Sequence, residues 1–325
     1  YDVNKNDDRY FPPDLFRGFK GNKIKFTLES IRAGLKNNIV ILSHINLILI
    51  GYLIKLLSPK TKLVLFAHGI EIWESLASLK KKMLLKCDSI FAVSNFTNDK
   101  LKKLYHIKDH QSVILNNCLD PYLEAPEHCD KAGELLSRYG LHCEDFVLVT
   151  LTRLSSDEKY KGYDKVLKSL TELITEYPML RYLVIGKYDN DEKARMDKLI
   201  ESMNLKDFVI FTGFIPDEEL GSHYTLADLY IMPSLNEGFG IVFIEAMYYG
   251  LPVIAGNKDG SPDALLNGRL GILVDPDKTD EISQAIKKVI ENKNSFIPDH
   301  KLLMEKFSYP VYKKNVKQAI EKLYN

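Results

Sequence analysis

Short apolar runs alternate with helical patterns through most of this sequence, and this alternation constrains the fold more than any other feature. In the first half, the predicted strands are 39–43, 62–68, 89–94 and 112–116, and the predicted helices are 46–57, 73–86 and 96–105. In the second half, the predicted strands are 146–152, 182–186, 208–212, 229–233 and 252–255, with helices starting near Tyr163, Asp191, Asp217 and Ile241. Strands joined by helices of this length imply βαβ units and parallel sheets that are covered on both faces.

A polar stretch with two prolines, 119–131, interrupts the alternation as a linker would. The sequence therefore predicts an α/β protein with two Rossmann-like, doubly wound domains, residues 1–142 with the linker and residues 143–325. Amphipathic helical patterns at about 281–292 and 310–324 close the chain, and the last of them allows packing back on the first domain. Open sheets of this type bind ligands beyond the carboxyl ends of their strands, so we expect the site in the cleft between the domains.

The charge balance excludes one class of partner. The 325 residues include 44 Lys plus Arg and 44 Asp plus Glu, so the formal net charge is zero and no nucleic-acid partner is predicted. However, 21 basic and 15 acidic residues give residues 1–142 a net charge of +6, and 23 basic and 29 acidic residues give residues 143–325 a net charge of −6. A basic first domain suits an anionic acceptor or peripheral contact with an anionic membrane. Its helix with Lys80, Lys81, Lys82 and Lys86 is also compatible with a simple solvated face.

Neither a membrane span nor a secretory signal is predicted. The longest apolar stretch, 47–57, has 11 residues and contains Lys55, whereas a span needs roughly 20. Residues 1–38 are polar and lack the apolar centre of a signal peptide. The four cysteines form no CxxC pair, so neither a zinc site nor a disulfide framework is indicated. We therefore expect a cytoplasmic protein, with the inner face of the membrane as the place of any peripheral contact.

The segment 233–257 carries the clearest chemical information. A strand ends at Pro233, a loop with Gly238 and Gly240 follows, and a helix begins at about Ile241. This order places free N–H groups and the positive end of a helix dipole at the carboxyl end of a strand, which is an anion site suited to phosphate. The loop lacks the third glycine of the dinucleotide-binding fingerprint, so a nicotinamide dehydrogenase is not indicated.

Two glutamates, Glu237 and Glu245, flank this loop. A carboxylate within the first helical turns would repel a phosphate. We therefore expect the Glu245 side chain to point past the phosphate and to accept hydrogen bonds from sugar hydroxyls. Glu237-Gly-Phe-Gly, then Glu245-Ala-Met and Gly250-Leu-Pro-Val-Ile-Ala, resemble the E-x7-E signature of retaining glycosyltransferases of the GT-B fold, family 4 (glycosyl transferases group 1) type.

Other motifs agree with this resemblance in order and spacing. They are Thr152-Arg-Leu, Lys161-Gly, Leu183-Val-Ile-Gly, Phe211-Thr-Gly-Phe, Ala227-Asp-Leu-Tyr-Ile-Met-Pro-Ser, Ala67-His-Gly, Ala92-Val-Ser and Ile114-Leu-Asn-Asn. The resemblance covers about residue 39 to the end. Members usually open with a strand, a glycine-rich turn and a long helix, and no such strand precedes Tyr1. The first βα unit of the N-terminal domain is therefore expected to be absent from this chain.

The resemblance implies a role for each matching residue. The residues implied in catalysis are Glu237, His68, Arg153 and Lys161. Those implied in donor binding are Glu245, Gly238, Phe239, Gly240, Ile241, Val242, Phe214 and Ile215. Two cations, Arg153 and Lys161, would hold the diphosphate together with the helix-end amides, Glu245 would bind the ribose, and Glu237 would bind the transferred sugar. At the nucleobase the resemblance implies Phe214 and Ile215, and His68 would face the sugar from the first domain.

The implied activity is transfer of a sugar from a UDP- or GDP-linked donor to a glycan or lipid-linked acceptor, with retention, in cell-surface polysaccharide or glycoconjugate synthesis. Bond breaking builds negative charge on the departing diphosphate, which fixed cations and helix-end amides stabilise. The resemblance thus implies a front-face reaction without metal or cofactor.

Other interpretations remain open for the chain and for single residues. A non-catalytic module that binds nucleotide sugars and a nucleotide-sugar epimerase of similar architecture are the alternative functions. Taken alone, Arg153 and Lys161 fit solvated surface charges, and His68 fits a hydrogen-bonded structural residue. Phe214 would equally fit the core.

Overall fold

The computed structural model describes residues 7–124, 131 and 133–324, which form two compact units. The first unit comprises the described residues up to Ala92, the segment Lys100–Val113 and the residues from Lys322 onward. The second unit comprises Val93–Asp99 and Ile114–Glu321.

This division differs from the predicted boundary at residues 142 and 143. Leu119 is already buried in a core of the second unit, and its N–H donates to the carbonyl oxygen of Phe307 at 2.8 Å. The start of the predicted linker is therefore part of the second unit. Residues 125–130 of that linker lie outside the described residues.

The first unit is built on a four-stranded sheet whose strands follow one another in chain order. The strands are β1 (Ile39–Leu42), β2 (Lys62–Ala67), β3 (Ser89–Ala92) and β4 (Ser112–Ile114). The first three are parallel, as expected for βαβ units. In β2, Leu63, Val64 and Leu65 are all buried, because the strand is covered on both faces. All four predicted strands are confirmed, and each observed strand ends one or two residues before the predicted end.

Helices cover this first sheet. They are α1 (Lys23–Gly34), α2 (Ile48–Leu57), α3 (Ile70–Trp73), α4 (Ser78–Leu84) and α5 (Asn95–Tyr105). The prediction of one helix over 73–86 is wrong, because the chain is extended at Glu74 with φ −95° and ψ 160°. The hydroxyl of buried Tyr105 donates to the Ile72 carbonyl oxygen at 3.0 Å and also contacts that of Glu74. A tertiary contact thus takes up carbonyl groups that a continuous helix would use internally.

The second unit is built on a six-stranded parallel sheet whose strand order reverses once. The strands are β5 (Phe146–Leu151), β6 (Leu180–Ile185), β7 (Val209–Gly213), β8 (Leu229–Met232), β9 (Val253–Gly256) and β10 (Ile272–Val274). Their order across the sheet is β10-β9-β8-β5-β6-β7. The chain runs outward from β5 to β7 and returns to β8 on the other side of β5, which is the arrangement of a doubly wound Rossmann sheet. This confirms the predicted fold of the second half, apart from β10, which the sequence pattern missed.

The second unit contains every helix that the pattern predicts for the second half, each starting within two residues of the predicted position, together with further helices. They are α6 (Gly133–Tyr139), α7 (Tyr163–Leu173), α8 (Asn190–Ser202), α9 (Asp217–Leu226), α10 (Ile241–Tyr248), α11 (Ser261–Ala264), α12 (Thr279–Glu291), α13 (His300–Phe307) and α14 (Tyr309–Glu321). The pattern missed α6, α11 and α13, although the Asp299 side chain caps α13 by accepting from the Leu302 N–H at 3.1 Å. Among the described residues, no helix has both the length and the apolar character needed to span a bilayer.

Side chains of β5 alternate between two cores. Val147 and Val149 lie in one core with Phe243 of α10, whereas Leu148 lies in the other core with Leu167 of α7. Successive side chains of a strand point to opposite faces, so this alternation shows that the sheet is covered on both sides. Polar loops are left at the ends of the strands.

Candidate active site

The carboxyl ends of β5 and β8 lie side by side where the strand order of the second sheet reverses. Leu148 pairs with Leu229 and Val149 with Tyr230 along the two strands. In doubly wound sheets, ligands bind beyond the strand ends at this point of reversal. The segments that follow the two strands, 152–162 and 233–240, contain three of the residues that the sequence implies in catalysis, Arg153, Lys161 and Glu237.

A sharp turn at Gly240 starts α10. Gly240 has φ +85°, and a Cβ atom there would lie 2.3 Å from the Phe243 ring, so only glycine fits. The Phe243 N–H donates back to the Gly240 carbonyl oxygen at 3.1 Å. The N–H groups at the very start of a helix have no partner inside it, and the helix dipole makes this end positive. The start of α10 at Gly240, Ile241 and Val242 therefore has a backbone geometry that allows an anion to bind, and its binding of phosphate stays a prediction.

Lys161 and Glu237 form an ion pair at this edge of the sheet. Lys161 Nζ lies 2.5 Å from Glu237 Oε2, and both side chains are largely buried, with 16% and 17% exposed. The pair brings together two of the residues that the resemblance implied in catalysis, and their roles toward phosphate and sugar stay predictions. Lys161 also lies 5.4 Å from the centre of the Tyr160 ring, which adds a cation–π contact.

Backbone contacts hold the Lys161 turn against the loop after β8. Lys161 ends the 3₁₀ turn Lys159–Lys161, and the Tyr160 carbonyl oxygen accepts from the Leu235 N–H at 2.9 Å. The next residue, Gly162, has φ +80°, and a Cβ atom there would lie 2.2 Å from the Pro233 carbonyl oxygen. Glycine is thus required for the close approach of the two segments.

Asp259 accepts hydrogen bonds from the loop after β8, and the sequence pattern did not indicate this residue. Its Oδ2 accepts from the Ser234 hydroxyl at 2.6 Å and from the Glu237 N–H at 2.7 Å, and its Oδ1 accepts from the Ser261 N–H at 2.9 Å. Asp259 is 3% exposed, and burial raises its pKa against the opposing effect of these donors. The signal in the sequence was a polar Asp-Gly-Ser following β9, because the ends of neighbouring parallel strands meet at one edge.

Gly260 completes this support. Its N–H donates to the Glu237 carbonyl oxygen at 2.7 Å, so both backbone polar groups of Glu237 are bound, one by Asp259 and one by Gly260. A Cβ atom at Gly260 would lie 2.0 Å from the Gly238 carbonyl oxygen. The backbone of the predicted catalytic loop is therefore fixed by the segment after β9.

Arg153 follows β5 but is paired elsewhere. Its side chain is 77% exposed and forms an ion pair with Glu158. Among the described contacts it touches neither Lys161 nor Glu237. The structure thus brings Lys161 and Glu237 together and leaves Arg153 as an exposed cation on the same loop.

Glu245 lies one turn into α10, partly buried. The hydroxyl of Tyr224, in α9, donates to its Oε2 at 3.1 Å. Burial raises the pKa of Glu245 above its usual value, the Tyr224 hydrogen bond lowers it, and the charges of Asp120 and Asp217 raise it further.

The aromatic residues predicted near the donor differ in exposure. Phe239 is buried, with its ring 5.6 Å from that of Phe307, so its side chain belongs to the core. Phe214, after β7, is 63% exposed and lies under Lys187, whose Nζ is 4.7 Å from the ring centre. The alternative that Phe214 is a core residue is therefore wrong. Ile215 is buried in the core beside it.

His68 lies at the end of β2 in the first unit and is exposed. The ring atom Nε2 of His68 lies 2.7 Å from the Ser43 carbonyl oxygen, and the backbone N–H of His68 donates to Glu71 Oε1 at 2.6 Å. Its ring stacks on Phe66 with centres 6.2 Å apart. These contacts fix the orientation of the imidazole, and its implied role toward the donor stays a prediction.

The sequence contains two Asp-x-Asp patterns, at 189–191 and 275–277, and both have structural partners. Asp189 caps α8 by accepting from the Glu192 N–H at 2.7 Å. Asp275 and Asp277 both pair with Lys258, at 2.6 and 2.9 Å. Within the described part of the chain, no group of three or more His, Cys, Asp or Glu side chains is arranged to hold a metal ion.

A helix start at the reversal point of a doubly wound sheet is a common place for phosphorylated ligands to bind, and in this chain the start of α10 lies there beside a Lys–Glu pair. Residues 140–304 match the family described as glycosyl transferases group 1. The chain belongs to this family, and its fold is the GT-B fold predicted from the sequence.

Individual relatives are named for different activities. The chain is 29% identical over 240 residues to the GDP-mannose-dependent alpha-(1-6)-phosphatidylinositol monomannoside mannosyltransferase of Mycolicibacterium smegmatis, covering 69% of this chain and 60% of that protein. It is 25% identical to the alpha-monoglucosyldiacylglycerol synthase of Acholeplasma laidlawii, covering 60% of this chain and 47% of the relative. The chain thus spans about 60% or less of the length of these curated relatives.

Solved structures show the same fold. HepE of Anabaena, in complex with UDP, aligns with a TM-score of 0.79 at 18% identity and covers 91% of this chain and 82% of its own. A glycosyltransferase of Rickettsia africae aligns with a TM-score of 0.76 at 20% identity, covering 95% and 84%.

Proposed function

We propose that this protein transfers a sugar, with retention, from a UDP- or GDP-linked donor to a hydroxyl of a glycan or lipid-linked acceptor in the cytoplasm, in cell-surface polysaccharide or glycoconjugate synthesis. The observation that carries the proposal is the buried Lys161–Glu237 pair beside the start of α10, at the reversal point of the second sheet. Relatives named for GDP-mannose and a solved neighbour with UDP support a nucleotide-linked donor.

The proposed chemistry follows from charge. As the bond between sugar and phosphate breaks, negative charge grows on the diphosphate, and Lys161, the exposed Arg153 and the N–H groups at the start of α10 stabilise it. When the donor binds, the ion pair between Glu237 and Lys161 weakens, and Glu237 accepts hydrogen bonds from the hydroxyls of the sugar. The departing phosphate takes the proton of the acceptor, so no protein nucleophile and no metal ion is required.

A ligand screen on the full-length protein tests this function. UDP or GDP is expected to stabilise the protein in thermal unfolding, by about 2.7 kcal/mol at roughly 100 times the dissociation constant. The matching sugar nucleotide should be hydrolysed slowly, at the same rate in EDTA and in Mg²⁺.

Each other outcome has a clear meaning. Nucleotide binding without turnover favours the non-catalytic binding module, and inversion of a sugar carbon on an intact donor favours an epimerase. The proposed function is wrong if no nucleoside diphosphate stabilises the protein, and its metal independence is wrong if EDTA abolishes turnover and Mg²⁺ restores it.

The same proposal includes peripheral contact with an anionic membrane through α4 and the residues after it. Leu79 and Leu85 are exposed, at 63% and 39%, beside the exposed Lys82 and Lys86. Each lysine near an anionic surface contributes about 1 kcal/mol. The double variant Lys82→Ala/Lys86→Ala is therefore expected to weaken binding to phosphatidylserine vesicles by roughly ten-fold or more.

The matched control is Lys206→Ala/Lys278→Ala, which removes two exposed lysines from the second unit. It should leave vesicle binding unchanged. Binding that does not depend on the phosphatidylserine content of the vesicles would contradict this contact.

A further inference from the structure

Glu245 lies one helical turn beyond the anion-binding end of α10. It follows Ile241 by four positions, so the two side chains share a face of the helix and are separated by about 6 Å along its axis. In a nucleoside diphosphate, the ribose is joined directly to the first phosphate. A nucleotide whose phosphates meet the start of α10 can therefore bring its ribose to Glu245.

The carboxylate of Glu245 has one hydrogen-bond donor and no cation partner among the described residues. That donor is the Tyr224 hydroxyl, 3.1 Å from Oε2. The nearby charges that act on Glu245, those of Asp120 and Asp217, are negative. Without the tyrosine, nothing described around this carboxylate would favour its ionised form or fix its orientation.

Tyr224 is itself held rigidly. It is 1% exposed, and its ring stacks on that of Tyr249 with centres 5.2 Å apart and planes 20° from parallel. The ring of Tyr230 lies on another side, with its centre 6.2 Å away. Because an aromatic ring packed in this way has little rotational freedom, the hydroxyl has a fixed position relative to α10.

We propose that Tyr224 is a positioning residue for donor binding. The Tyr224 hydroxyl donates to Oε2 of Glu245 and leaves Oε1 to accept hydrogen bonds from the ribose hydroxyls of the donor. The inference rests on the proposed function, in which Glu245 binds the ribose. Tyr224 touches no reacting atom. Its effect should therefore fall on donor affinity and KM, with little change in kcat.

Binding of nucleotides that differ only in the ribose tests this role. Dissociation constants are measured for UDP and GDP and for their 2′,3′-dideoxy analogues, with wild-type protein and with Tyr224→Phe. The variant is expected to bind the ribose form about ten-fold or more weakly, because a hydrogen bond to a charged group is lost. Affinity for the dideoxy form should stay within about two-fold, since that form does not use Glu245.

Tyr230→Phe is the matched control. Tyr230 is equally buried and aromatic, but its hydroxyl donates to the Leu151 carbonyl oxygen at 3.3 Å and not to Glu245. Its removal should leave the preference for ribose intact.

The outcomes separate this inference from the function on which it rests. A wild-type protein that binds neither nucleotide overturns both. A wild-type protein that prefers the ribose form, with Tyr224→Phe keeping the same preference or weakening both forms equally, overturns the role of Tyr224 alone.

The pH dependence of the ribose preference gives a second readout. The titratable groups that act on Glu245 or its tyrosine partner are Tyr224, Tyr230, Tyr249, Asp120 and Asp217. Loss of the Tyr224 donor should raise the pKa of Glu245 further, so Glu245 is protonated at a higher pH in Tyr224→Phe. As the pH is lowered, the preference of this variant for ribose over dideoxyribose should therefore disappear at a higher pH than in wild type. If that variant does not fold, 3-fluorotyrosine at position 224 keeps the ring and provides a more acidic donor, which should shift the midpoint to lower pH. An unshifted midpoint overturns the inference.

Discussion

Lys161→Ala is expected to reduce kcat for sugar transfer by about a hundred- to a thousand-fold, the range found when one group that stabilises the departing charge is removed. The variant lacks the cation next to the diphosphate, and it leaves the largely buried carboxylate of Glu237 without its partner. Both changes act on the step in which the bond to phosphate breaks. Steady-state transfer with the donor found in the ligand screen measures the effect.

Lys159→Ala is the control for this variant. Lys159 is on the same 3₁₀ turn and has the same charge, but it is exposed, so its loss should change kcat little. Glu237→Ala should also abolish most of the transfer. Because the two residues are paired, the double variant should lose less than the product of the single losses. Wild-type rates in both single variants would contradict the assigned roles.

Asp259→Ala is expected to destabilise the second unit by about 3 kcal/mol or more, because up to three buried donors lose their acceptor at about 1–3 kcal/mol each. The donors are the Ser234 hydroxyl and the N–H groups of Glu237 and Ser261. Thermal unfolding measures the loss, and amide hydrogen exchange of peptides that contain 234–240 should accelerate more than exchange elsewhere in the sheet. Transfer should fall with it, since the same acceptor fixes the backbone of Glu237.

Asp277→Ala serves as the comparison. This aspartate also lies at the edge of the second unit and pairs with Lys165 and Lys258, but its side chain is 56% exposed. Exposed ion pairs contribute about 0–1 kcal/mol, so the change should be small. Equal stability of the Asp259 and Asp277 variants would show that the buried hydrogen bonds of Asp259 do not hold the loop.

Period and spacing in the sequence were sufficient to predict the second sheet. The continuous apolar runs at β5, β6 and β8 are long enough only for buried strands, and the helices between them start at predicted residues such as Tyr163 and Ile241. The sequence also indicated both members of the Lys161–Glu237 pair as site residues, although not that they contact each other. These features are local or belong to one short motif, so the sequence displays them directly.

Long-range contacts account for what the sequence pattern missed. The helix predicted over 73–86 is divided because the Tyr105 hydroxyl, about 30 positions later, contacts the carbonyl oxygens of Ile72 and Glu74. The observed boundary between the units differs from the predicted one for a similar reason, because Leu119 packs beside α13 and so belongs to the second unit. Neither partner carries a signal near the affected segment.

The sequence by itself determined that this chain forms βαβ units and starts a helix directly after the glycine loop that follows β8, because periodicity and glycine placement act over a few residues. Only the tertiary structure showed that Asp259 and Gly260 bind both backbone groups of Glu237 and that Tyr224 donates to Glu245. These contacts join segments about 20 residues apart whose nearness depends on the order of strands and helices in the sheet. Burial then makes each of them strong, because water cannot replace the partner that is lost.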